Sequence, residues 1–184
     1  MRAFRHSFIV KSPIERVWHF YTDVKHLETI TPKEMDLEIF DTTSQNIVQG
    51  QEIWVSTKGF EKIKIRRRMT WHSKITFVKE YEYVDEMLAG PFKKWTHSHK
   101  FRTIDGKQTE IIDEVEFELP YGILGKLFEG YAYKQSQDIF GYRKIATVKA
   151  LGNNFKSSHY EPCCFLRYER ICLWFKWTYV ILAR

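Results

Sequence analysis

Residues 92–102 alternate between two kinds of side chain. Trp95, His97, His99 and Phe101 occupy every second position, and the side chains between them are polar or basic. Successive side chains of a β-strand point to opposite faces of its sheet, so the pattern predicts a strand that carries both imidazoles on its inner face. Two histidines on an inner face are unusual, which makes them the first candidates for function.

Strand-like alternation recurs along much of the chain and is interrupted by helical stretches. The predicted strands cover residues 4–10, 37–40, 52–57, 61–71, 92–102 and 109–119, with two more between 72 and 88. Strands outnumber helices and do not alternate with them in β-α-β order, so a parallel sheet is not expected. We therefore predict an α+β fold in which a long helix covers one face of a curved antiparallel sheet.

Two short helices and one long helix are predicted. Ser12 and Glu15 match a Ser-x-x-Glu capping box, which predicts the start of the first helix with Pro13 at its first position. A second short helix is expected to stop before Pro32. From residue 122 to about residue 150 the apolar side chains recur at helical spacing, which predicts one long helix.

The strands on either side of residues 104–106 are predicted to form a hairpin, because Asp-Gly is a strong turn signal. A three-residue loop keeps both inner faces on the same side of the sheet and sets His97 opposite Asp113. A shifted loop would set Asp113 beside His99 instead. In either register one carboxylate meets two imidazoles on the inner face.

A buried carboxylate is costly unless it is paired, and an imidazole is a suitable partner. Three interpretations stay open: a satisfied polar cluster in the core, the polar lining of a ligand cavity, and a His–Asp general acid–base pair. His-x-His with an aspartate also matches a metal-binding triad on paper. No metal is predicted, however, because no Cys or Glu shares this inner face. The other histidines before the tail also lack ligand-like spacing; they are His6, His19, His26 and His72.

Composition places the chain among globular proteins. Of its 184 residues, 43% are hydrophobic and 16% are aromatic. No N-terminal run has the character of a signal sequence, and no apolar stretch reaches the roughly 18 residues of a membrane span, so we expect a soluble cytoplasmic protein. The cysteines are confined to residues 163–172, which excludes a disulfide framework for the rest of the chain.

Four basic side chains share one face of the predicted strand 61–71, and the net charge of the chain is +6. The four are Lys62, Lys64, Arg66 and Arg68. Such a stripe could contact nucleic acid or an anionic membrane. It lacks interleaved aromatic residues, and strand 109–119 carries a stripe of glutamates, so we interpret it as a solvated outer face and expect no nucleic-acid partner.

Residues 3 to about 148 resemble the START and birch-pollen-allergen-like helix-grip superfamily (SRPBCC), and within it the polyketide cyclase/dehydrase-like, ligand-binding branch. The resemblance is carried by "SPIERVWHFYTDVKHLETITP", "GPFKKWTHSHKF", "TEIIDEVEFELPYGILG" and "IFGYR". It implies a helix-grip fold, in which a curved seven-stranded antiparallel sheet wraps around a long C-terminal helix. Two short helices follow the first strand, and an apolar tunnel lies between sheet and helix.

The resemblance also implies binding or carriage of a hydrophobic small molecule, such as a lipid, polyketide or quinone, without a cofactor. The implied ligand-binding residues are Trp95, His97, His99, Phe101, Asp113, Val115, Phe117, Tyr131 and Tyr142. Some members of the superfamily are enzymes, so the alternative is a cofactor-independent cyclase or dehydratase with His97, His99 and Asp113 as acid–base groups. A weaker alternative is an interaction module that acts through the basic face or the tail. The sequence predicts neither the ligand nor the oligomeric state.

Residues 153–184 depart from the pattern of the superfamily, so we divide the chain into a ligand-binding domain, residues 1–152, and an atypical tail. The tail is rich in aromatic and basic residues, and its segment 171–182 is apolar but too short to cross a bilayer. Three interpretations stay open for the tail: an anchor at a membrane surface, a segment that packs on the domain or mediates self-association, and a disordered segment not selected for folding.

Overall fold

The structure is a computed structural model, and it describes residues 1–58 and 68–152. Its strands are β1 (Arg2–Val10), β2 (Glu38–Thr42), β3 (Glu52–Thr57), β4 (Met69–Lys79), β5 (Glu82–Ala89), β6 (Lys94–Thr103) and β7 (Thr109–Glu118). Its helices are α1 (Ile14–Thr22), α2 (His26–Thr29) and α3 (Gly122–Leu151), with a 3-10 turn at Lys33–Met35. The strands form one antiparallel sheet in the order β1-β7-β6-β5-β4-β3-β2.

The predicted fold class is confirmed. The sheet has seven antiparallel strands, two short helices follow β1, and the 30-residue α3 ends the described part of the chain. Within that part, no helix is both long and apolar enough to cross a membrane. The tail, residues 153–184, lies outside the described residues.

The predicted basic stripe falls mainly on residues 59–67, which are also outside the described residues. Arg68 is described, and it is engaged on the protein itself. Its guanidinium donates to Asp36 Oδ2 at 2.9 Å and to Ser56 Oγ at 2.8 Å. Arg68 therefore joins the loop before β2 to β3.

The predicted capping box at the start of α1 is wrong. Ser12 is buried, its hydroxyl has no hydrogen-bond partner, and Pro13 is the N-cap of α1. The carbonyl of Ser12 instead accepts a hydrogen bond from Thr109 Oγ1 on β7, at 2.8 Å. Packing of this corner against the sheet thus overrides the local capping signal.

The β6–β7 hairpin has the shifted register. His99 lies opposite Asp113 and His97 lies opposite Val115, so the predicted pairing of His97 with Asp113 is wrong. The cause is a longer loop, because Thr103 pairs with Thr109 and the turn occupies residues 104–108. A shift of two residues keeps every side chain on its predicted face, and the buried positions of β6 are those of the alternating pattern.

Apolar side chains of the sheet's inner face and of the helices that pack on it form two clusters. The cluster nearer α1 includes Val17, Ile75 and Ile111, and the cluster nearer α3 includes Phe117 and Phe140. A hydrogen bond of 2.9 Å between the hydroxyls of Tyr21 on α1 and Thr147 on α3 joins the two sides of the interior.

We expect Tyr21→Phe to destabilise the protein, because it leaves the hydroxyl of Thr147, whose exposure is 0%, without its partner. A buried polar group without its hydrogen bond costs about 1–3 kcal/mol of unfolding free energy. Urea denaturation measures the change. The control is Tyr121→Phe, at a residue that is 37% exposed, for which a change within about 0.5 kcal/mol is expected. Equal effects of the two substitutions would contradict a structural role for the Tyr21–Thr147 bond.

Candidate functional site

A cavity of about 220 Å³ lies between the inner face of the sheet and the helices. Most of its wall is apolar, and much of that wall is aromatic: Phe20, Tyr21, Trp71, Tyr83, Phe92, Trp95 and Phe140. A smaller set of polar side chains faces the same space; it includes Asp85, His97 and His99 from the sheet and Gln135, Ser136 and Arg143 from α3. An apolar cavity with a few convergent polar groups is typical of small-molecule sites.

Two histidines and two aspartates form a compact group, here called the His–Asp cluster: Asp85, His97, His99 and Asp113. β6 supplies both histidines, and its neighbours β5 and β7 supply one aspartate each. His97 Nε2 lies 3.0 Å from Asp113 Oδ1, and His99 Nε2 lies 3.0 Å from Asp85 Oδ2. The other ring nitrogens also face carboxylates, with His97 Nδ1 3.6 Å from Asp85 Oδ2 and His99 Nδ1 3.3 Å from Asp113 Oδ1. Each imidazole thus lies between both carboxylates.

Aromatic rings enclose the His–Asp cluster. The two imidazole centroids are 3.7 Å apart, Tyr83 stacks on His99 at 4.1 Å, and Phe140 meets His97 edge-on at 5.1 Å. The side chains of both histidines are 6% exposed, that of Asp113 is 0% exposed and that of Asp85 is 18% exposed. The cluster is therefore shielded from bulk water, with Asp85 as its most accessible member.

The two imidazoles differ in their affinity for a proton. Burial by itself lowers the pKa of His99, but the adjacent carboxylates of Asp113 and Asp85 outweigh burial and raise that pKa above the ordinary 6.5. Burial and repulsion from His99 lower the pKa of His97 to about 4, although Asp113 opposes that change. A proton taken up by the pair therefore resides on His99 rather than on His97.

Both carboxylates are ionised at neutral pH. Burial by itself raises the pKa of Asp85 and of Asp113, but the hydrogen bonds from the histidines outweigh it and lower both values. Two carboxylates beside two neutral imidazoles give the cluster a charge of −2, which a proton on His99 reduces to −1. The guanidinium of Arg143 partly compensates this charge and also lowers the pKa of Asp85; its Cζ lies 4.9 Å from the ring centroid of Phe140.

Three of the nine residues that the resemblance implied line the cavity: Trp95, His97 and His99. The others are not among its described lining residues; they are Phe101, Asp113, Val115, Phe117, Tyr131 and Tyr142. Two of these residues pack against other aromatic rings. Phe101 contacts Trp18 and Tyr21, and Phe117 contacts Phe92 and Trp95. Asp113 is hydrogen-bonded to His97 and is not itself a lining residue.

The face of α3 that meets the cavity differs from the predicted one. Its lining residues are Ala132, Gln135, Ser136, Ile139, Phe140 and Arg143. Tyr131 packs instead with the apolar cluster nearer α3, and Tyr142 is half-buried. The helical pattern of the sequence contains several apolar faces, and the rotation of α3 against the sheet decides which of them meets the cavity.

Sequence reasoning missed Asp85, which contacts both histidines. Asp85 pairs with His97 in the β5–β6 ladder and shares a face with the buried Tyr83. The sequence did offer one signal for Asp85, since an aspartate in the middle of a strand on the same face as a buried tyrosine needs a polar partner. Asp85, His97 and His99 each offer one ligand atom, and these atoms lie within 4.8 Å of one another, so the three side chains could hold a metal ion.

Comparison with known families gives one match over most of the chain. The family described as "Polyketide cyclase / dehydrase and lipid transport" matches residues 10–140. That range includes β6, β7 and most of the cavity wall. The comparison with curated proteins gives no match.

Solved structures share the fold at low sequence identity. TTHA0849 from Thermus thermophilus is 16% identical, with a TM-score of 0.61, over 82% of this chain and 97% of that protein. Zhui aromatase/cyclase from Streptomyces sp. R1128 is 17% identical, with a TM-score of 0.57, over 82% and 90%. Norcoclaurine synthase from Thalictrum flavum, in complex with dopamine and hydroxybenzaldehyde, is 12% identical, with a TM-score of 0.60, over 85% and 89%.

We expect the stability of the protein to fall as the pH is lowered from 6.5 towards 4. The unfolded chain takes up a proton at His97 in this interval, whereas the folded protein, with a pKa of about 4 at that residue, does not. By pH 4, His97 should have lowered the unfolding free energy by an amount on the order of 3 kcal/mol. His99 acts in the opposite direction: its raised pKa stabilises the fold below pH 6.5, and that contribution is lost as the pH rises through its folded value.

Denaturant unfolding at a series of pH values measures this dependence. His97→Gln cannot take up the proton, so its unfolding free energy should fall less steeply than that of the wild type between pH 6.5 and 4. The control is His19→Gln, at an exposed histidine of α1 outside the cavity wall, which should leave the pH dependence of the wild type unchanged. Parallel curves for wild type and His97→Gln across the interval would show that His97 is protonated in the folded state and that its assigned pKa is wrong.

Proposed function

Because the chain belongs to the polyketide cyclase/dehydrase and lipid transport family, we propose that it binds or carries a hydrophobic small molecule in the cavity between its sheet and α3. The observation that carries the proposal is the composition of the cavity wall. Aromatic and aliphatic side chains form most of it, and the polar groups converge from β5, β6 and α3. The apolar wall supplies affinity, and the polar groups orient the ligand.

The polar groups favour a ligand that carries an oxygen. His97, His99 and Arg143 all line the cavity, and the guanidinium of Arg143 is able to donate a hydrogen bond to a carbonyl, hydroxyl or phenolate. The structural relative from Thalictrum flavum was solved with dopamine and hydroxybenzaldehyde, two aromatic molecules that carry oxygen. A lipid, polyketide or quinone with an oxygen at one end would match this cavity.

We expect native mass spectrometry of the protein, purified from its own host, to show the added mass of an organic molecule that denaturation releases. Ser136→Phe places a ring in the cavity and should abolish that added mass, because Ser136 lines the cavity and is buried. The matched control is Ile145→Phe, on the same helix at a position that is 60% exposed, which should retain the ligand. An empty wild-type protein that also binds none of a panel of lipids, polyketides and quinones would exclude the proposal.

A cyclase or dehydratase is the second candidate, and one observation favours it. The environment lowers the pKa of His97 and raises that of His99, so two neighbouring imidazoles in one cavity differ in their affinity for a proton. Such a divergence is typical of acid–base pairs in active sites. His97 would accept a proton from a bound polyketone, and His99 would donate one to the oxygen that leaves as water or becomes a hydroxyl.

We expect the enzyme, if this candidate is right, to convert a poly-β-ketone to a cyclised or dehydrated product faster than buffer alone. His97→Gln and His99→Gln should each lower the rate by about 10²–10⁴-fold, the usual contribution of a general acid or base. Product analysis by liquid chromatography and mass spectrometry measures the conversion, with circular dichroism to verify folding. Ligand binding that survives in the wild type without conversion of any polyketone would leave the binding function alone.

A further inference from the structure

We propose that Asp85, His97 and His99 form a binding site for one divalent transition-metal ion on the cavity wall, and that Asp113 orients both imidazoles from behind. The sequence alone argued against a metal because no Cys or Glu shares the inner face with the two imidazoles and Asp113. The structure adds Asp85 as a second aspartate, on the side of the imidazoles that faces the cavity. The proposal does not depend on the identity of the organic ligand.

The three ligand atoms lie within 4.8 Å of one another, and two of their separations are close to those between ligands of one metal ion. Asp85 Oδ2 lies 3.0 Å from His99 Nε2 and 3.6 Å from His97 Nδ1. Metal–nitrogen and metal–oxygen bonds are about 2.1 Å long, so neighbouring ligands at octahedral or tetrahedral angles are separated by roughly 3.0–3.4 Å. Small side-chain rotations would therefore bring all three atoms to bonding distance of one ion.

Asp113 fixes which nitrogen of each ring is available. Its Oδ1 is hydrogen-bonded to His97 Nε2 at 3.0 Å, which leaves the lone pair of His97 Nδ1 on the Asp85 side. His99 Nδ1 lies 3.3 Å from the same oxygen without a hydrogen bond, so a rotation of the His99 ring would let Nδ1–H donate to Asp113 and free Nε2 for a metal. Histidines that bind metals almost always donate their other N–H to a carboxylate or carbonyl in this way.

The charge of the site suits a cation. With neutral imidazoles, the carboxylates of Asp85 and Asp113 and the guanidinium of Arg143 sum to −1 in an environment shielded from water. A divalent ion would bring this sum to +1, and an anionic oxygen of a bound ligand would neutralise it. Buried carboxylates are stable when they coordinate a metal or are otherwise paired.

Two imidazoles and one carboxylate favour a transition metal over Mg²⁺ or Ca²⁺, which prefer oxygen ligands. All three proposed ligands line the cavity, whereas Asp113 is not among its described lining residues. The remaining coordination positions of the ion would therefore face the cavity. A carbonyl, enolate or phenolate oxygen of a ligand could occupy one of them.

We expect chelator-treated, full-length protein to bind one equivalent of Co²⁺ in a calorimetric titration, with visible absorption bands of cobalt bound by nitrogen and oxygen. Zn²⁺ should displace the cobalt, and Mg²⁺ at the same concentration should not. With ¹⁵N-labelled wild-type protein, Zn²⁺ should shift the NMR signals of His97 Nδ1 and His99 Nε2 as directly bound nitrogens. This measurement needs no substitution, so it does not depend on the folding of a variant.

Substitutions then test each member of the site. His97→Gln and Asp85→Asn should each lower the affinity for Co²⁺ at least tenfold, and Asp113→Asn should lower it by about 10–100-fold because the imidazoles lose their orienting carboxylate. The matched control is His72→Gln. His72 also contacts a carboxylate, with its Nε2 2.8 Å from Glu52 Oε2, but it does not line the cavity, so its replacement should leave cobalt binding unchanged.

Three results would overturn the proposal. The first is no stoichiometric binding of Co²⁺ or Zn²⁺ by the wild type. The second is zinc-induced NMR shifts that leave His97 and His99 untouched. The third is a near-ultraviolet thiolate-to-cobalt band with binding that survives His97→Gln, which would assign the metal to the cysteines at residues 163–172. Loss of metal binding with retained organic ligand would leave the proposed binding function standing.

Discussion

The carboxylates of Asp85 and Asp113 lie in an aromatic interior, and both pair with the imidazoles of His97 and His99. The carboxylates would not be stable in this interior without the imidazoles, because a buried ion that loses its partner has no water to hydrate it. The four residues come from three adjacent strands, so their pairing links β5, β6 and β7 across the middle of the sheet. The same pairing supplies the polar part of the cavity wall. The stability of the sheet and the proposed recognition of a ligand therefore depend on the same few bonds.

Much of the fold could be predicted because it follows from local patterns. The alternation around His97 and His99 identified the inner face of β6, and the change to helical spacing after residue 122 identified α3. The resemblance to a superfamily then supplied the strand count and topology. Ser12 shows where local reasoning failed: the capping signal was overridden because the connection between β1 and α1 packs against Thr109.

The candidate site was only partly predictable, since it depends on how distant segments meet. The two histidines were found because their spacing is local. Asp85 was missed because its pairing with His97 is visible only when β5 lies beside β6. Register presented the same difficulty, because Asp-Gly signals a turn but does not set the loop length, and Asp113 came to lie opposite His99. Arg143 depended on the rotation of a whole helix, which no short stretch of sequence specifies.

The placement of β1 has a consequence for how the protein is made. β1 pairs only with β7 within the described sheet, from Arg2 opposite Phe117 to Val10 opposite Thr109. During synthesis the first strand emerges long before its partner exists, and Phe8 and Val10, both core residues, have no sheet to pack on. Contacts between such distant segments form slowly, and unpaired apolar strands are prone to aggregate. Newly made chains should therefore rely on chaperones until β7 has left the ribosome.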